Sequence, residues 1–194
     1  MGRLVVGLGN PGAEYDETRH NIGWAVLDSL SFADKLNWRD KFKGLYAEYA
    51  MGDEKIYFLK PMTYMNLSGQ SVLALSSFFK VAVADILVVH DEVDLPFGTI
   101  ALKRGGGLAG HNGLKSIAQL LGSQDFLRLR MGVGRPIYGS MSGWVLSKFT
   151  KEEEVVLSAM LEGTAKAINI FLEKGFDHAA SAYSKKNFVI TPEK

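Results

Sequence analysis

Asp85-Ile86-Leu87-Val88-Val89-His90-Asp91 is the stretch on which the fold turns. Four consecutive apolar residues, three of them β-branched, predict a strand over 85–90 that is buried on both faces. Such a strand needs helices above and below it. His90 and Asp91 close the run. A polar strand end at the carboxyl edge of an α/β sheet is where ligands usually bind. Neighbours on a strand face opposite ways, so one of the two is expected to line a site.

Outward from this strand the pattern repeats. Residues 3–9 form a second β-branched run, ending in glycine. Residues 44–51 and 55–59 read as a hairpin joined by Gly52-Asp53-Glu54. Further strands are expected over 99–103 and 127–133. Apolar spacing near 3.6 predicts helices over 21–33, 68–80, 114–121, 152–174 and 177–184. Asn21 suits a helix N-cap, and Gly122 a helix end. Strands alternate with helices, with no repeat, linker or low-complexity tract. The expectation is one α/β domain over 1–194 with a largely parallel or mixed sheet.

Composition narrows the function. Of 194 residues 47% are hydrophobic and 22% charged, which excludes a disordered, collagen-like or coiled-coil chain. The 21 glycines cluster at loops, as backbone turned around ligands would. There is no cysteine, hence no disulfide, thiolate zinc site or cysteine nucleophile. No stretch reads as a membrane span of about 20 apolar residues. The apolar run at 4–8 is shorter than a signal-peptide core of roughly 7–15 residues. A cytoplasmic protein is expected. Net charge is only +1, but residues 100–135 hold six basic side chains and one acidic. That block is a candidate phosphate-binding face.

Several motifs fail on inspection. Gly7-Leu8-Gly9-Asn10-Pro11-Gly12 matches a dinucleotide fingerprint. Yet residues 13–19 are polar where a helix should begin, and Asp28 falls within a predicted helix rather than at a second strand end. His90, Asp91, Glu92 and Asp94 fit no named metal-ligand spacing, and no metal site is expected. The nucleophile motif G-x-S-x-G is absent, since Met141 occupies the central position of 139–143. What remains is a set of asparagines at strand-to-helix loops, Asn10, Asn66 and Asn112, beside the glycine loop 105–113. Amides donate and accept without charge, which suits peptide groups, ribose hydroxyls or base edges. Lys103, Arg104, Lys115, Arg128 and Arg130 flank the loop.

Five segments, taken in order, resemble one family. They are G-L-G-N-P-G (7–12), Y-x-x-T-R-H-N-x-G (15–23), K-P-x-T-Y-M-N-L-S-G (60–69), H-D-E-V-D-L-P (90–96) and G-G-G-x-A-G-H-N-G-L-K-S (105–116). The chain resembles bacterial peptidyl-tRNA hydrolases over about residues 3–185. The resemblance implies a single-domain mixed sheet flanked by helices. It also implies hydrolysis of the ester between peptide and tRNA, without cofactor or metal, by a cytoplasmic monomer. By motif position His20 is the expected base and Asp91 its partner. Asn10, Tyr15, Met65, Asn66 and Asn112 are expected to line the cleft for the peptide and terminal adenosine. Lys103 and Arg130 are expected to grip acceptor-stem phosphates. Many members carry two basic residues two positions apart on the strand before the glycine loop; here Ala101 takes the first place. The alternative is a non-catalytic RNA-binding relative of the same fold. The intact His20, Asp91 and asparagine set favours the enzyme.

Overall fold

The expected central strand is β5 (Ile86–Glu92), buried at every position and running two residues past the expected end at His90. On one side it pairs in parallel with β1 (Arg3–Gly7) and on the other with β7 (Leu127–Gly132). Beyond β1 lie β4 (Glu54–Pro61), parallel to it, and then antiparallel β3 (Gly44–Met51) and β2 (Arg39–Lys41). Beyond β7 lie antiparallel β6 (Thr99–Arg104) and β8 (Lys186–Asn187). The eight strands form one mixed sheet in the order β2-β3-β4-β1-β5-β7-β6-β8. This computed structural model describes residues 2–189.

Helices cover both faces. The side containing Val5, Leu87, Val89, Leu129 and Met131 packs on α1 (Ile22–Asp28), α5 (Lys151–Lys174) and α6 (Phe176–Tyr183). The side containing Leu4, Val6, Ile86 and Val88 packs on α2 (Ser68–Phe78) and α3 (Asn112–Leu121). A short helix, α4 (Met141–Val145), lies between β7 and α5. By length and composition alone α5 could cross a membrane, with a window of mean hydropathy 1.5. In the fold 44% of that window is buried, and Met160, Ile168, Phe171 and Leu172 belong to the core.

The chain leaves β1 for one side of the sheet and returns through β4 and α2 to β5 on the other. That reversal opens a crevice at the carboxyl ends of the parallel strands. The glycines of the first loop serve packing here. A Cβ on Gly7 would lie 2.4 Å from the Gly23 carbonyl oxygen, so this pair lets α1 cross β1 in contact. That accounts for the fingerprint-like motif without a nucleotide.

Local readings failed where elements are short. The first helix stops at Asp28 rather than 33: Ser29 Oγ bonds back to the Ala25 carbonyl at 2.7 Å, and Leu30 and Phe32 turn inward to the core. Strands β2 and β8 have three and two residues and leave no periodicity to read. Helix α4 occupies a Gly/Ser-rich stretch that composition marks as loop. Helix α3 starts at Asn112, ahead of the expected 114, because the His111 side chain caps it.

Candidate active site

Three imidazoles and one carboxylate meet at the carboxyl edge. Asp91 is buried near the end of β5, its side chain on the opposite face from that of His90. His20 sits on the turn Arg19–Asn21 that leads into α1. Its Nδ1 lies 2.9 and 2.8 Å from Asp91 Oδ1 and Oδ2. His111 Nε2 lies 2.9 Å from Asp91 Oδ1. Both neighbours are held in one tautomer. His111 Nδ1 accepts the backbone N–H groups of Gly113 and Leu114 at 3.1 and 3.3 Å, so its proton is on Nε2 and is donated to Asp91. His20 likewise donates Nδ1–H to the carboxylate, which leaves Nε2 as an unprotonated acceptor. Burial by itself raises the Asp91 pKa, but the charges and hydrogen bonds of His20 and His111 outweigh it and hold the group well below the carboxylate range.

His20, Asp91 and His111 also present ligand atoms within 4.8 Å of one another. The arrangement suits protons better than an ion. The N···O separations are hydrogen-bond lengths, whereas two ligands on a tetrahedral zinc at about 2.0–2.1 Å stand roughly 3.3 Å apart. His111 Nε2 would also have to lose its proton while Nδ1 caps α3.

The loops around this group are tied together. Asn10 and Asn21 exchange hydrogen bonds: Asn10 N–H donates to Asn21 Oδ1 at 2.8 Å, and Asn21 Nδ2 donates to the Asn10 carbonyl at 3.0 Å. Asn10 Oδ1 accepts the Met65 N–H at 2.7 Å, which leaves the Asn10 Nδ2 hydrogens for a ligand. A Cβ on Gly113 would lie 2.6 Å from Met65 Sδ, so the bare backbone of Gly113 lets α3 pack close against the Met65 side chain. Arg19, buried beside the expected base, donates to Ser147 Oγ, the Lys148 carbonyl and Glu153, each at 2.6 Å, and stacks 3.7 Å above Trp144. It fixes the His20 turn to the segment carrying α4.

Two cavities open here. One of about 250 Å³ is lined by His20, Asp91, His111, Asn112, Met141 and Val145, among others. The other, about 220 Å³, is lined by His90, Glu92, Lys103, Leu114, Arg128 and Arg130, among others. They share Glu92 and Ala109. Of the expected residues, His20, Asp91 and Asn112 meet in the first cavity, Lys103 and Arg130 in the second. Asn10 and Met65 are joined by their hydrogen bond. Asn66 is exposed on the Met65–Leu67 turn and Tyr15 is half-buried on the turn Ala13–Tyr15; neither lines either cavity.

The cations differ in what they can offer. Arg130 donates Nε and an NH2 group to Glu92 Oε1, at 2.9 and 2.6 Å. Arg128 is buried, with its guanidinium spent on the carbonyls of Gly106, Gly107 and Gln124. Arg104 pairs with Asp177 at 2.9 Å on the sheet's other face. Among the described residues the paired lysines are Lys55, Lys60 and Lys166; Lys103 is exposed and is not one of them.

Sequence reasoning missed His111, Arg19 and Asn21. The one available signal for His111 was its position at the front of a predicted helix after a glycine loop, where a side-chain acceptor is wanted. His90 is the third imidazole of the group. Its Nδ1 donates to the Asp91 carbonyl at 2.8 Å, and its Nε2 is buried without a partner. Burial, then the nearby His111 charge, lowers its pKa to about 3. Unfolded, it takes a proton near pH 6.5. Between those values the unfolded state binds the extra proton, so stability falls as pH drops from about 6.5 toward 3, by about 1.4 kcal/mol per pH unit for one proton. Thermal melts at pH 7, 6, 5 and 4 should show this slope in the parent and a shallower one in His90→Asn. Parallel curves would contradict it.

A buried carboxylate that aims an imidazole into a cleft at the carboxyl edge of an α/β sheet is the equipment of a general-base hydrolase. The model of the family described as peptidyl-tRNA hydrolase matches residues 4–190. The peptidyl-tRNA hydrolase of Desulfitobacterium hafniense is 49% identical over 94% of this chain and 100% of its own length. That of Geotalea uraniireducens is 45% identical over 96% and 98%. A crystal structure of the Acinetobacter baumannii peptidyl-tRNA hydrolase superposes with a TM-score of 0.85 at 37% identity, covering 94% of this chain and 95% of the other. The chain belongs to the peptidyl-tRNA hydrolase family, whose members cleave the ester between peptide and tRNA.

Proposed function

We propose that this chain hydrolyses peptidyl-tRNA with His20 as general base and Asp91 as its partner. The observation that carries the assignment is the pair of 2.8–2.9 Å contacts from His20 Nδ1 to Asp91, which leave Nε2 as the basic nitrogen. Nε2 takes a proton from water, and the hydroxide attacks the ester carbonyl. Asp91 stabilises the imidazolium that forms. The Asn10 Nδ2 hydrogens, freed by the Met65 contact, are suited to the developing oxyanion. The imidazolium then protonates the departing ribose oxygen, which leaves as the free tRNA hydroxyl, and the peptide acid released with it loses its proton to solvent as a carboxylate. Tyr15, Met65, Asn66 and Asn112 are assigned to the peptide and terminal adenosine, with the protein acting as a cytoplasmic monomer.

Purified protein incubated with peptidyl-tRNA should release tRNA and peptide at an undiminished rate in chelator, once the tRNA has been folded. Tight binding without turnover would favour the RNA-binding alternative. Loss in chelator with recovery on zinc would restore a metal at His20, Asp91 and His111.

The second cavity is assigned to tRNA phosphate, with Lys103 as the main contact. Lys103→Ala should weaken tRNA binding and flatten the dependence of log K on log salt by about 0.7–0.9 of a unit, the contribution of one phosphate contact. Arg130→Ala should flatten it less, because Glu92 already offsets that charge. Titrations at several salt concentrations decide this. Equal slopes for parent and Lys103→Ala would place the phosphates elsewhere.

A further inference from the structure

The cavity beside Lys103 offers more than positive charge. Lys103, Arg128 and Arg130 line it against one carboxylate, Glu92, so it suits an anion. Two of its lining residues also carry a buried polar atom without a partner. His90 is 1% exposed; its Nδ1–H goes to the Asp91 carbonyl, and its Nε2 has no partner. Burial lowers its pKa to about 3, so at neutral pH Nε2 is an unprotonated acceptor. Arg128 is 2% exposed; its terminal nitrogens go to three carbonyls, and its Nε–H has no partner. Buried polar groups are normally paired, and each exception calls for an explanation. Both Arg130 bonds end on Glu92 Oε1, which leaves Oε2 as a further acceptor. Lys103 stands at the rim: it is exposed, and its Nζ lies 2.7 Å from where a Cβ on Gly106 would be, so that glycine leaves room for it.

We propose that His90 Nε2 accepts a hydrogen bond from a ribose 2′-hydroxyl beside the phosphate held by Lys103, so that this cavity selects RNA over DNA. The proposal rests on the assignment of this cavity to tRNA phosphate. A phosphodiester has no hydrogen to donate and leaves Nε2 as it is. The occupant therefore brings a neutral donor next to its negative charge. In the nucleic-acid backbone the 2′-hydroxyl is that donor, and it also accepts, which suits the Arg128 Nε–H. Bases in a stem have their amino groups engaged by pairing, and a peptide backbone has N–H donors but no anion for the cations. Exposure orders the contacts, with phosphate at the rim on Lys103 and the hydroxyl inward toward buried His90.

The test compares two acceptor-stem hairpins of one sequence, each with its unpaired 3′ end, one of ordinary RNA and one 2′-fluoro throughout. Fluorine keeps the sugar pucker and every phosphate but has no hydrogen to donate. The parent should bind the hydroxyl hairpin about 2- to 12-fold more tightly, the net worth of one hydrogen bond, with equal salt slopes. His90→Asn keeps a donor for the Asp91 carbonyl and lacks Nε2, so it should bind both alike. His90→Gln, whose amide oxygen reaches the Nε2 position, should restore part of the preference. In the parent the nitrogen-15 resonance of His90 Nε2 should shift on adding the hydroxyl hairpin and much less with the fluoro one, a readout that needs no variant. Equal affinities in the parent would overturn the proposal and mean that water alone serves Nε2. A full preference in folded His90→Asn would overturn it too, placing the hydroxyl contact elsewhere. Lys103→Ala separates this proposal from the reading beneath it. If that variant weakens both hairpins while the parent treats them alike, the hydroxyl contact fails and the phosphate assignment stands. If it weakens neither, the phosphate assignment falls and takes the proposal with it.

Discussion

Replacing His20 with alanine is expected to lower kcat on peptidyl-tRNA by about 10²- to 10⁴-fold, the usual contribution of a positioned general base. Folding and tRNA binding should survive. The side chain lines the cleft, and Asp91 keeps its hydrogen bond from His111. His20→Asn offers an N–H toward Asp91 and controls for any effect of leaving the carboxylate short of a donor. Because His20 and Asp91 serve one proton transfer, the double variant His20→Ala/Asp91→Asn should be little worse than His20→Ala. Steady-state kinetics on the singles and the double, with circular dichroism for folding, provide the check. Losses that multiply would mean that Asp91 acts outside the pair. A nearly full rate in folded His20→Ala would falsify the mechanism.

Asp91→Asn is expected to lower kcat by a comparable factor, with a smaller effect on KM, and the reason is a tautomer. The Gly113 and Leu114 N–H groups hold the His111 proton on Nε2, so His111 claims the one acceptor oxygen of the new amide. The amide nitrogen then turns its hydrogens toward His20 Nδ1. His20 must accept there, which moves its own proton to Nε2, the nitrogen that should take a proton from water. Nitrogen-15 NMR of the histidines reads this directly. The parent should show His20 protonated on Nδ1, and Asp91→Asn should show it on Nε2. Removing the competitor in Asp91→Asn/His111→Ala lets the amide oxygen swing back and should recover part of the lost rate. A His20 that keeps its Nδ1 proton in Asp91→Asn would point to lost charge alone as the cause.

Much of this protein was legible in its residues one stretch at a time. The run 86–89 announced a central strand because a strand covered on both faces needs apolar side chains at every position. The opposite orientation of His90 and Asp91 follows from the two-residue period alone, and the two side chains do serve different cavities. The ordered motifs identified the family because each one combines several residue types at fixed spacing. The short elements β2, β8 and α4 were not legible, since two to five residues carry too little periodicity and their pairing partners are distant in sequence.

The sequence by itself determined the α/β class and the central strand with its polar end, and through motif resemblance it singled out His20 and Asp91. Tertiary structure alone decided what those residues can do. His20 and Asp91 are 71 positions apart, and Asp91 and His111 are 20 apart. No local pattern encodes that two imidazoles share one carboxylate, or which nitrogen of each carries the proton. The same holds for the cations. Lys103, Arg104, Arg128 and Arg130 look alike in the chain, yet in the fold three are engaged by Asp177, backbone carbonyls and Glu92, and Lys103 is left exposed. Charge is written in the sequence, but its availability depends on burial and on partners that only the packed sheet brings within reach.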